Sequence, residues 1–168
     1  RLSENKFGLN YRQYKQIMED MGIVYLSNKS CNLDDNICVH GLDLEKKYYL
    51  RRFKKPLDQG YINKRISIDE SKFNILLAHT PLFVKDYADS HVDLALAGHF
   101  HGGTIRLPGG IGVMTPQFHF FNRLVVGMKK VGNMIQIIGA GLGTHSINIR
   151  LNDMSELIVI NLKCRNKA

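Results

Sequence analysis

The chain has 168 residues, is 44% hydrophobic and carries a formal net charge of +8 with a pI near 9.5. That is apolar material for one packed core, without the run of about 18 apolar residues that a membrane-crossing helix needs. Cys31, Cys38 and Cys164 are odd in number and form no C-x-x-C pair, which points to free thiols in a reducing compartment rather than a disulfide framework or a thiolate metal site. No signal peptide is visible. The chain starts at Arg1 rather than Met, so that absence says little about a longer gene product.

In chain order, residues 10–21 (NYRQYKQIMEDM) place Tyr14, Ile17, Met18 and Met21 at helical spacing behind an Asn10 N-cap, and Gly22 ends the helix. Residues 23–28 (IVYLSN) and 36–43 (NICVHGLD) read as strands. Residues 46–67 read as a basic helix followed by a loop through Pro56 and Gly60. Residues 73–81 (FNILLAHTP) read as a buried strand closed by a His-Thr-Pro turn. A short helix over 82–90 precedes a second buried strand over 92–99 (VDLALAGH). From there the pattern is all-β: TIRL, GVMT, FNRLVVGMKK, NMIQIIGAG, SINIRL and ELIVINLK are short, β-rich and separated by turns. The expected class is therefore α/β (α+β), with one domain spanning residues 1–168, no internal repeat and no low-complexity segment.

Two apolar strands ending in histidine put His79 and the His99/His101 pair at one sheet edge, where loops surround an open crevice. Neutral imidazoles are favoured ligands for divalent transition metals. Gly98, Gly102 and Gly103 strip side chains from around the pair, and Pro81 stiffens the turn after His79. A metal site built on His79, His99 and His101 is the expectation. Asp43, Asp86, Asp89 and Asp93 read as turn or helix residues rather than ligands. His40, His91 and His119 read as structural or surface histidines. Arg150 reads as an ion-pair partner of Glu156. The Gly-Leu-Gly at 141–143 precedes strand-like sequence, so it fails as a dinucleotide-binding turn.

On these residues the chain resembles the calcineurin-like metallophosphoesterases. GHFHGG (98–103) is similar to the family's terminal GH-x-H motif, and LLAHTP (76–81) to the histidine block before it. GAGLGTHSINIRLNDMSELIVINL (139–162) resembles the ending of a bacterial cell-wall-associated and membrane-linked phosphodiesterase branch, with Met154-Ser155 where that branch carries proline. The resemblance implies the C-terminal part of a two-sheet αββα sandwich, with His79 and His99 on one ion and His101 on the other. It implies two divalent transition-metal ions (Mn, Fe, Zn or Ni) that clamp a phosphate and activate water for in-line attack. Arg106 and His145 are the candidate substrate contacts. No G-D or G-N-H block occurs in this chain, and its one D-x-H tripeptide, Asp89-Ser90-His91, falls between the histidine blocks rather than ahead of them, where the family carries its own. Their ligands are expected upstream, in a missing N-terminal half of the domain.

The expected activity is phosphodiester hydrolysis of a phosphorylated small molecule or lipid, in the cytoplasm or at the periphery of a bacterial membrane. One alternative is a non-catalytic fragment or pseudoenzyme that folds on a partner half. Another is an anion-binding module, in which residues 45–55 (EKKYYLRRFKK, six of them basic) hold an anionic membrane surface or nucleic acid. That module leaves the histidine pair unexplained, and nucleic acid ranks last as a partner.

Overall fold

The computed structural model describes residues 10–50, 55–103, 105–114, 120–143 and 150–163. Helix α1 (Tyr11–Asp20) starts with a reciprocal cap: Gln13 N–H donates to Asn10 Oδ1 at 3.0 Å and Asn10 N–H to Gln13 Oε1 at 2.9 Å. Gly22, at φ 83°, takes the chain out of the helix. No residue of α1 is buried.

A six-stranded sheet follows in the order β1-β2-β3-β4-β9-β8: β1 (Lys29–Asn32), β2 (Ile37–Leu42), β3 (Phe73–Ala78), β4 (Leu94–Ala97), β8 (Gly127–Val131) and β9 (Met134–Ile138). The central four strands, β2, β3, β4 and β9, run parallel, and β1 and β8 close the edges antiparallel. A second, three-stranded antiparallel sheet holds β5 (Arg106–Leu107), β6 (Ile111–Met114) and β7 (Phe120–Asn122). Helix α2 (Val84–Asp89) connects β3 to β4. The fold is mixed α/β, as the pattern of elements predicted, and it has two sheets, as the family resemblance implied.

One face of the large sheet carries the core. Leu76 and Ala95 are fully buried and pack with Tyr48, Tyr61, Phe83 and Tyr87. The aromatic rings meet edge to face, Tyr48 lying 5.0 Å from Tyr61 and 5.6 Å from Phe83 between centroids. The opposite face is not sealed: Leu77 is 41% exposed and Met128 75%. The strand over 73–78 is thus fully buried on one side and only partly on the other, where Ile75 is covered but Leu77 is not.

Four expectations need correction. Residues 23–28 form no strand; Leu26 instead crosses Gly41, whose missing Cβ makes room for the Leu26 backbone. The basic helix reduces to a 3-10 turn, Lys46–Tyr49, with residues 51–54 outside the described set. Its apolar side faces inward: Tyr48 enters the core and donates to Asp58 Oδ2 at 3.1 Å. FNRLVVGMKK divides into β7 and β8 around a turn in which Leu124 N–H donates to Asn122 Oδ1 at 2.7 Å. Residues 156–163 form no strand, since none of the described strands pairs with them, and Leu157 and Val159 are 80% and 77% exposed. Residues 144–149, including most of SINIRL, lie outside the described set. Among the described residues no helix is long and apolar enough to cross a membrane.

Candidate functional site

The parallel pairing of β3 with β4 brings both apolar strands to the same edge, so their C-terminal histidines meet. Gly98 N–H and His99 N–H both donate to His79 O, at 3.1 and 3.0 Å, splicing the two strand ends together. His79 Nε2 and His99 Nδ1 then stand 3.0 Å apart, with ring centroids separated by 4.7 Å. The turn after His79 is anchored from below. Tyr87 Oη donates to Thr80 O at 2.8 Å, and Gln136 Nε2 on β9 donates to Pro81 O at 3.3 Å.

His101 follows on a tight turn. Its own φ is 46°, and Gly102 and Gly103 take φ 72° and 87°, a run of left-handed backbone that side chains other than glycine adopt at a cost. Phe100, fully buried, pins the turn, and Gly103 N–H donates to Phe100 O at 2.7 Å. A Cβ on Gly103 would lie 2.7 Å from Gly112 Cα in β6, so the second sheet packs directly against this turn.

Packing draws the His79 imidazole below its ordinary 6.5, and the charge that His101 can carry pushes the same way. Both effects favour the neutral ring, the form that binds a metal. Tyr49, half-buried, walls the pair, its ring 5.6 Å from His99 and 6.1 Å from His79. Burial and then Asp43 raise its phenol above 10.0. Tyr49 reaches the site through tertiary packing from the basic stretch, and no local spacing signals it.

Arg106 sits at the start of the second sheet. One guanidinium nitrogen lies 2.9 Å from Asp153 Oδ1, and its Nε donates to Asn152 O at 3.4 Å. Asp153 is a second residue that motif reading misses: its side chain has no exposed surface. Burial raises its carboxyl above the usual range against the opposing pull of Arg106 and Arg150. Arg150 does not pair with Glu156. It donates to the carbonyls of Ala140 (2.9 Å) and Gly143, and lies 3.8 Å from Asp153 Oδ2. Glu156 instead accepts from Ala140 N–H at 3.0 Å. These bonds tie the 139–143 turn to the C-terminal segment.

Four of the other candidate groups, His40, Asp43, Asp86 and Asp93, are occupied structurally. His40 is fully buried between Ser30 Oγ at 2.7 Å and Asn74 Oδ1 at 3.0 Å. Asp86 accepts from Leu57 N–H, Asp93 from Asn74 N–H and Asp43 from Ser27 Oγ. His119 and His145 lie outside the described residues. Among the described residues no group of three or more His, Cys, Asp or Glu side chains is placed to hold a metal ion by itself.

The chain is similar to several bacterial proteins. It is 24% identical over 151 residues to the uncharacterized metallophosphoesterase YkoQ of Bacillus subtilis, covering 88% of this chain and 52% of that protein. It is 31% identical over 153 residues to a Helicobacter pylori metallophosphoesterase, covering 86% of this chain and 39% of the relative. It is 25% identical over 170 residues to one from Aquifex aeolicus, covering 96% and 59%. These likenesses, with the histidine blocks and the mixed α/β fold, make the chain similar to bacterial metallophosphoesterases and support a calcineurin-like metallophosphoesterase family. The chain spans about half the length of the curated relatives it matches. No protein-family model matches it. No solved structure matches it either.

Proposed function

We propose that His79, His99 and His101 are the histidine ligands of a metal-dependent phosphoesterase centre that hydrolyses phosphodiesters. The convergence of His79 Nε2 and His99 Nδ1 at 3.0 Å carries this reading. Imidazole nitrogens that converge at two adjacent strand ends suit a divalent transition ion. The donor set therefore fits a divalent transition ion, though only as part of a ligand shell. The other ligands of a two-ion centre would come from D-x-H, G-D and G-N-H blocks carried outside this chain.

Bound there, a pair of divalent ions supplies Lewis-acid polarisation of the phosphate and an activated water. The chain's own residues hold and orient. The carbonyl of His79 accepts both backbone N–H groups of the Gly98-His99 step, which holds the two histidine backbones side by side. Tyr49 packs beside them, its ring 5.6 Å from His99 and 6.1 Å from His79. Arg106 and His145 are the proposed contacts to the substrate phosphate. Arg106 shares its guanidinium with Asp153, which fixes its direction. The proposed substrate is an anionic phosphorylated small molecule or lipid.

The test is metal stoichiometry by elemental analysis, on protein of confirmed intact mass, alongside hydrolysis of bis-p-nitrophenyl phosphate. The expected result is roughly two ions per molecule and hydrolysis when the upstream blocks are present, both lost in His99→Ala. Without those blocks, one weakly held ion or none is expected. Protein containing every block that neither binds metal nor hydrolyses the diester would overturn the reading.

A further inference from the structure

The segment after Arg150 returns to the His101 turn and locks onto it. Arg106 N–H donates to Leu151 O at 3.0 Å, and Ile105 bridges to Leu151 in parallel fashion. Asn152, at φ 53°, then turns the chain so that Asp153 points inward. Its carboxylate lies between Arg106 at 2.9 Å and Arg150 at 3.8 Å, with no exposed surface. The same carboxylate fills the space that a Cβ on Gly102 would take. Gly102 is the residue next to His101.

We infer that Asp153 is a positioning residue for His101: wedged against Gly102 and held by Arg106 and Arg150, it sets the turn over 101–103. The direction in which the His101 imidazole meets the strand-end histidines follows from that turn. The inference rests on the reading of His79, His99 and His101 as metal ligands. Two properties of the wedge matter. Its shape excludes a side chain at 102. Its negative charge offsets the two guanidinium groups it lies between, in surroundings where charges act strongly. Groups that orient metal ligands from behind typically change affinity by about 10–100-fold when removed.

Cobalt(II) titration of purified protein that carries the upstream blocks, followed by its visible absorption bands, tests this. Asp153→Asn keeps the shape and removes the charge. It should weaken cobalt binding by about tenfold or more and alter the bands in protein that is still folded at the titration temperature, although unpairing the two guanidinium groups lowers its melting temperature. Gly102→Ala should alter the bands in the same direction by displacing the wedge. Should Asp153→Asn fail to fold, Arg106→Lys keeps the charge but loosens the clamp, and a weaker cobalt complex with altered bands is expected. Wild-type affinity and an unchanged spectrum in the variants that fold would overturn the positioning role. His99→Ala separates the two readings: if it and wild type take up cobalt equally, the metal centre fails and the positioning role with it. Cobalt binding by wild type that is lost in His99→Ala but untouched in Asp153→Asn sinks only the positioning role.

Discussion

Asp86 shows how a single side chain can couple folding to pH. Its Oδ1 accepts from Leu57 N–H at 3.1 Å, which helps dock the irregular 55–68 segment onto α2. Burial raises its carboxyl above the ordinary 3.8, more than the backbone hydrogen bonds lower it. An acid with a raised folded-state pKa takes up a proton on folding between its unfolded and folded values. Its contribution to stability therefore declines as pH rises from 3.8 through the raised value, and the cost is complete above it. Asp86→Asn keeps an oxygen for Leu57 and removes the charge. Relative to wild type, it should be more stable near pH 7 than near pH 3.5. Denaturant unfolding at several pH values measures the difference, and a pH-independent difference would refute the assignment.

At the scale of elements, the sheet depends on close approaches that only glycine permits. β2 runs beneath Leu26 at Gly41, where an added Cβ would collide with the Leu26 carbonyl and side chain. Gly41→Ala has no flexible neighbour to displace, since the obstruction includes backbone. It should cost roughly 1–3 kcal/mol, as overpacking a filled interior does. The substitution would lift residues 23–28 off the sheet and leave the β3–β4 edge in place. Hydrogen exchange should therefore speed up around Leu26 and Asp43 before it does around His79. Equal acceleration at both would mean that the segment and the site unfold as one unit.

Across the whole molecule the two faces of the large sheet are unequal. One packs a core of buried aromatic and aliphatic side chains, while the other leaves Leu77 and Met128 open. In register, Leu77 stands beside Leu96, Leu96 beside Ile137, and Ile137 beside Met128, so these four side chains form a continuous apolar row across the strands. The 156–162 segment adds Leu157 and Val159 to the exposed apolar surface. Contiguous apolar surface of this kind drives association. The chain by itself should self-associate with rising concentration in sedimentation velocity. Leu77→Lys with Met128→Lys should return it toward its 19.1 kDa monomer mass. A wild-type chain that stays monomeric at every concentration would count against this.

The sequence by itself determined where the histidines of the candidate site fall in the fold. Apolar runs closed by His79 and by Gly98-His99 place both histidines at strand ends, because side-chain periodicity and strand length are local properties. The capped helix over 11–20 was legible for the same reason. Strand pairing was less so. Residues 23–28 and 156–163 have strand-like composition, but a strand needs a neighbour, and neither finds one among those described. Tertiary structure alone decided the rest. Parallel pairing of β3 with β4 reduced a twenty-residue separation between His79 and His99 to 3.0 Å. Long-range packing brought Tyr49 over the histidines, Gln136 to the Pro81 carbonyl and Asp153 against Gly102. Those residues carry no motif, because their roles come from where the chain returns in space and not from their neighbours in sequence.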